Sequence, residues 1–250
     1  MKNQTIIEVC VDSVESALAA KAGGADRLEL CANLIIGGTT PSLALFDAVR
    51  EAVDLPINVL IRPRFGDFLY TDAETDIMCR EVAAFAQRGA NAVVIGALRA
   101  DGSLDEEKMG RLIAAAGGIH ITLHRAIDVS RDALETLETA IALGVDTILT
   151  SGCKANAWQG RETIAALLER AGERAQILIG GGVNAKVIAD FRREYPAVRA
   201  FHLSGKQVLD SGMTFRNGEV NMGLPGISEF QIWRTDEKAV AQAAAALRGE

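Results

Sequence analysis

The chain has 250 residues, with 26 Lys or Arg against 33 Asp or Glu, a formal net charge of −7 at neutral pH. An acidic protein without a basic block is a poor partner for nucleic acid or anionic membrane, so an anionic ligand would have to be met by a few local arginines. No apolar run approaches the roughly 18 residues of a membrane span, and four cysteines are too sparse for a disulfide scaffold, which places reduced thiols in a cytoplasm.

In chain order, residues 1–8 enter a strand at once and show no signal-peptide apolar stretch. Eight apolar runs follow: Ile6–Cys10, Arg27–Cys31, Ile57–Arg62, Ala92–Gly96, His120–His124, Thr147–Ser151, Gln176–Gly180 and Ala200–Ser204. Most are nearly continuous in Val, Ile and Leu, as in strands buried on both faces, and each leads into helix-forming sequence. Before the second, fourth and sixth runs the chain repeats a glycine and a short polar turn: Gly24-Ala-Asp26, Gly89-Ala-Asn91 and Gly144-Val-Asp146. A glycine after a helix end suits a positive φ. Helix starts are predicted at Thr71 and Ser103, each with Glu three residues on, and at Thr40 with Pro41 in the first turn. Eight βα units predict an α/β fold, a single-domain (β/α)8 barrel over residues 1–250, with an open doubly wound sheet as the minority reading. The connection 206–235 is long, containing Asp210-Ser-Gly-Met213 and 221–225; its aromatic, glycine and arginine content suits a cap over the barrel mouth or a subunit contact.

Strand parity then places the polar residues. Glu8 with Cys10, and Glu29 with Cys31, point the same way near the carboxyl rim, where such barrels keep their chemistry and a packing core would carry Val, Ile or Leu. Arg62 and Arg64 share parity at the end of strand three; they either neutralise Glu8 and Glu29 or clamp an anion. His124 closes strand five as a candidate general acid, base or ligand, with Arg125 and Asp128 beside it, whereas His120 begins that strand and reads as structural. Ser151 and Gly152 end strand six. Gly181 and Gly182 follow strand seven, and His202, Ser204 and Gly205 end strand eight, where glycines suit a backbone anion site. The inventory points to proton transfer by Glu8, Glu29, His124, Asp128 and His202 on an anionic small molecule. No zinc-type Cys-x-x-Cys or His-Glu-x-x-His occurs, and no organic cofactor is implied.

Nearly the whole chain resembles the CutC copper homeostasis family. The matching stretches are Glu8-Val-Cys10-Val-Asp-Ser13, Gly23-Gly-Ala-Asp-Arg-Leu-Glu-Leu-Cys31, Gly37-Gly-Thr-Thr-Pro-Ser42, Ile61-Arg-Pro-Arg64 and Gly66-Asp-Phe68. They continue through His124-Arg-Ala126, Asp128, Leu149-Thr-Ser-Gly152, Asp210-Ser-Gly-Met213 and Phe215-Arg-Asn217. The resemblance implies a cytoplasmic, oligomeric TIM barrel linked to copper tolerance, with Cys10 and Cys31 as thiolate ligands of Cu(I), a soft ion that selects sulfur. Around His202-Leu-Ser-Gly205 the chain departs from relatives that carry a further cysteine or serine beside the histidine, so no third thiol is expected there. Inward residues of adjacent strands occupy different barrel layers, so the two sulfurs are expected to be staggered.

Two functions follow as expectations. One is copper handling through Cys10 and Cys31. The other is an enzyme acting on a sugar acid or phosphosugar, with Arg62 and Arg64 on the anion and His124 or Glu29 moving a proton.

Overall fold

The computed structural model describes residues 5–220, 222–223 and 226–249; the first strand's leader and parts of the 221–225 motif lie outside the described residues. Eight parallel strands close into a barrel, each paired with the next in sequence and the eighth with the first. They are β1 (Ile6–Val11), β2 (Arg27–Leu30), β3 (Ile57–Leu60), β4 (Ala92–Ile95), β5 (His120–Leu123), β6 (Thr147–Thr150), β7 (Gln176–Ile179) and β8 (Ala200–Leu203). The helices that cover them are α1 (Val14–Ala22), α2 (Leu43–Ala52), α3 (Asp72–Gln87), α4 (Glu106–Ala115), α5 (Ala133–Ala142), α6 (Arg161–Ala171), α7 (Ala185–Glu194) and α8 (Glu237–Arg248). The architecture is the expected (β/α)8 barrel. The outward-facing strand residues are almost all apolar because that face meets helices, with Phe46, Phe85, Phe191 and Phe201 fully buried in that layer.

The repeated glycine turn has two physical jobs. Gly24, Gly89 and Gly144 have φ of +85°, +80° and +88°, a region that L side chains enter at a cost. Two residues on, the polar side chain binds back to the start of the preceding strand. The Ile7, Ile57 and Ile121 amides donate to Asp26, Asn91 and Asp146 at 2.7, 2.8 and 2.9 Å. Each pair of strands is thus pinned at its N-terminal end, which fixes the register that the opposite rim depends on.

Helix starts follow the sequence in part. Thr71 and Glu74 form the full reciprocal cap of α3. The predicted Ser103 cap is displaced: Asp105 caps α4 and Ser103 donates to Asp101 instead. Aspartate is an equally good cap, and starting there puts Glu106 and Glu107 in the first turn, where the helix dipole favours them. Likewise Ser42, not Thr40, caps α2; Thr40 is spent on Glu81 and on the Arg62 amide.

The long connection after β8 contains an antiparallel ribbon of β9 (Lys206–Asp210) and β10 (Gln231–Thr235), with Lys206 opposite Thr235. Its Val, Leu, Ile and Trp content favours strand. The base of the ribbon supplies Lys206, Trp233, Arg234 and Thr235 to the wall of the barrel mouth.

Candidate functional site

A cavity of about 420 Å³ opens at the carboxyl ends of the strands. Of the residues singled out in the sequence, Cys10, Glu29, Arg62, His124, Arg125, Gly181, Gly182, His202 and Ser204 line it. Glu8 and Cys31 lie beneath or beside that wall, whereas Arg64, Asp128, Ser151, Gly152 and Gly205 are outside it.

Register builds the floor. Pairing sets Glu8 level with Arg27 on one side and His202 on the other, and Cys10 level with Glu29. His202 Nδ1 lies 2.8 Å from Glu8 Oε1, while Glu8 Oε2 accepts from Arg27 Nε at 2.5 Å and from Asn58 Nδ2 at 3.0 Å. Burial alone would raise the Glu8 pKa, but the Arg27 guanidinium and His202 outweigh it and hold the group at about 2. For His202, burial opposes the charge, yet the surrounding Cys10, Glu29 and Glu8 push its pKa well up. Arg27 and Asn58 were not singled out in the sequence. The signal available was parity, since Arg27 precedes Glu29 by two residues on the same strand.

Above Glu8, His202 Nε2 lies 3.8 Å from Glu29 Oε2, and the buried Cys31 thiol donates to that same oxygen at 3.3 Å. Burial, eased by His202 and reinforced by Glu8, raises the Glu29 pKa. Burial and the adjacent Glu29 push the Cys31 thiol well up. The donor atoms of Cys10, Glu29 and His202 all lie within 4.8 Å of one another. Cys31 stands two residues beyond the Cys10–Glu29 level, in an apolar cluster with Cys10, Leu60 and Val94, and is not in that group. The two thiols are therefore staggered.

The opposite wall carries Arg62 and His124, 8 % and 5 % exposed. Arg62 spends its Nη atoms on the carbonyls of Gly38 and Gly66, at 3.0 and 2.8 Å, with a longer bond to Gly37. His124 Nδ1 accepts from the Ala126 amide at 3.2 Å, so the ring proton sits on Nε2. Burial first, and Arg62 second, lower the His124 pKa to about 3. The ring fits because residue 96 is glycine: a Cβ there would stand 2.4 Å from His124 Cε1. Phe68 packs on both groups, 5.2 Å from the Arg62 Cζ and 4.7 Å between ring centroids from His124.

The remaining candidates hold loops. Arg64 binds Glu74, Asp67 and the Leu69 carbonyl, because β3 has ended and parity no longer aims the side chain inward. Asp128 accepts from Thr150 Oγ1 (2.6 Å), the Ser151 and Cys153 amides, Ser151 Oγ and Arg125 Nε. Gly152 is pressed against Gly160, whose carbonyl oxygen would sit 2.2 Å from a Cβ. Gly205 packs against Val240. Asp128→Ala should therefore destabilise the fold by about 2–4 kcal/mol, since it strands several buried donors. Urea unfolding checks this; a loss below about 0.5 kcal/mol would remove the structural role.

The profile of the CutC family matches residues 5–207. A copper homeostasis protein cutC homolog of Homo sapiens is 42 % identical over 235 residues, covering 94 % of this chain and 86 % of that protein. A family protein CutC of Bacteroides fragilis is 44 % identical over 242 residues, covering 96 % of each chain. The crystal structure of CutC from Streptococcus agalactiae superposes with a TM-score of 0.76 at 29 % identity, covering 80 % of this chain and 99 % of that one. The chain belongs to the CutC family.

Proposed function

We propose that this protein handles copper, taking the ion as cargo at Cys10, Glu29 and His202. One observation carries the reading: His202 is oriented through Nδ1 by a buried carboxylate, leaving Nε2 toward a thiol and a second carboxylate. A carboxylate that fixes the ring of a ligating histidine is the common outer support of metal sites. Glu8 in that role is itself held by Arg27 and Asn58. The donor set of sulfur, imidazole and carboxylate suits copper, with thiolate and imidazole carrying the affinity for Cu(I). This reading differs from a Cys10–Cys31 pair, because the Cys31 thiol is engaged with Glu29 and resists ionisation.

The four free cysteines support a reducing, cytoplasmic setting. Exposed Val208, Phe215 and Met222 on and beyond the ribbon favour a homo-oligomer built through that arm.

Titration of the reduced protein with Cu(I) against a competing chelator tests the site. Cys10→Ser should weaken binding about tenfold or more, while Cys31→Ser should change it by less than about threefold. Wild-type affinity in Cys10→Ser would remove this site, and an equal loss in both variants would restore the dithiolate alternative. Acid–base chemistry on an anionic substrate would use the raised carboxyl of Glu29 on the same cavity, and depends on an anion being bound there.

A further inference from the structure

We propose that the mouth cavity also binds a small oxyanion, a carboxylate or phosphate group received jointly by Arg62 Nε and His124 Nε2, apart from the copper-binding cluster. Arg62 is a buried guanidinium that forms no ion pair with any described residue; its Nη partners are neutral carbonyls. A buried charge without a counter-ion is costly and is ordinarily paired. The internal carboxylates are already committed. Glu8 is neutralised by Arg27, and Glu29 faces His202 and Cys31.

A second observation points the same way. Arg62 Nε and His124 Nε2 are both buried without a hydrogen-bond partner among the described residues. Both are donors, because the His124 Nδ1 lone pair is occupied by the Ala126 amide. Buried donors are ordinarily satisfied, and two on adjoining groups of one cavity wall call for an acceptor. A water could accept both bonds but would leave the Arg62 charge uncompensated. An oxyanion does both.

The wider wall agrees. Arg125, Lys206 and Arg234 line the same cavity, against Asp12 and Glu29, so a locally cationic mouth sits in a chain of net charge −7. Arg125 is held by Asp128, Arg234 lies 3.9 Å from Glu15, and Lys206 is solvent-exposed over the Trp233 ring, so Arg62 is the buried cation of this wall that has no carboxylate partner among the described residues. Phe68 lines the cavity and packs on both side chains, so an anion that reaches the two buried donors has to shift its ring. Cation and anion then draw on different strands of the mouth, β1, β2 and β8 for the one and the ends of β3 and β5 for the other.

The test uses metal-free full-length protein titrated separately with sodium pyruvate and sodium phosphate, against sodium chloride at equal ionic strength, by thermal unfolding and calorimetry. At least one oxyanion should raise the melting temperature saturably beyond chloride; which one does so assigns carboxylate or phosphate. Arg62→Met and His124→Asn should each weaken that binding about tenfold or more, since each withdraws one donor. His124→Asn keeps an acceptor for the Ala126 amide, so it decides the matter if Arg62→Met fails to fold. Cu(I) affinity should stay at the wild-type value in both variants, so the two sites stand or fall separately. No saturable response to either oxyanion, or a response retained in the variants, would overturn the proposal.

Discussion

Arg27→Met is expected to destabilise the protein by about 3–5 kcal/mol at neutral pH, and adding Glu8→Gln to the same chain should recover most of that loss. Glu8 is 1 % exposed, and Arg27 Nε lies 2.5 Å from its carboxylate. Without Arg27 the charge keeps only His202 and Asn58 as partners, in a site where burial already opposes ionisation. The amide that Glu8→Gln introduces carries no charge, so the double variant removes the penalty rather than sharing it. The pH dependence has a definite sign. Glu8 is held near 2 in the folded state against 4.5 ordinarily, so its contribution is present above about pH 4.5 and is lost as pH falls towards 2. The gap between wild type and Arg27→Met should therefore narrow on acidification. Urea unfolding at about pH 7 and about pH 4 measures both quantities. Equal stability of Arg27→Met and wild type at neutral pH, or a double variant no better than the single one, would show that the pair does not hold the barrel interior.

The barrel was legible because most of its strands, buried on both faces, read as nearly continuous apolar runs, and because a repeated glycine turn marks alternate units. Parity correctly sent Cys10, Glu29, Arg62, His124 and His202 to one mouth. It failed where a strand stops. Arg64 shares parity with Arg62, but β3 ends at Leu60, and the chain then turns so that Arg64 ties down its own loop. Asp128, which the sequence places beside His124, holds the β6 loop through contacts more than twenty residues away.

What sequence could not supply was the level of each residue along the barrel axis. Level depends on the stagger with which strands close, which no single strand encodes. That stagger puts Cys10 beside Glu29 and leaves Cys31 a step beyond, turning an apparent pair of thiols into a thiol, a carboxylate and an imidazole. It also assigns Arg27 to Glu8, which frees Arg62 of the neutralising job that the sequence left open for it. The ribbon was unseen for a related reason: β9 and β10 are about twenty residues apart, and their pairing is not local.

Acid should destabilise the wild type more steeply than His124→Asn between about pH 6.5 and pH 3, by about 3–5 kcal/mol over that range. Burial, with Arg62 in support, lowers the His124 pKa from 6.5 to about 3. A base depressed in this way stays neutral in the fold while the unfolded chain takes up a proton. Its stabilising effect is complete above the unfolded value, and is lost as pH falls through 6.5 towards the folded value. Glu8 loses stability further down the scale, and Glu29, whose pKa is raised, shifts the balance the other way. Both groups are common to the two proteins, so the difference in slope isolates His124. Asparagine does not titrate in this range and keeps an acceptor for the Ala126 amide, whose loss would otherwise confuse the comparison. Urea midpoints at several pH values give the slopes, and the imidazole nitrogen shifts of His124 should stay those of a neutral Nε2–H ring down to about pH 4. Parallel slopes, or a His124 that titrates near 6.5 in the folded protein, would show that the ring meets water freely. The same result would remove the buried, unpaired donor on which the oxyanion site rests.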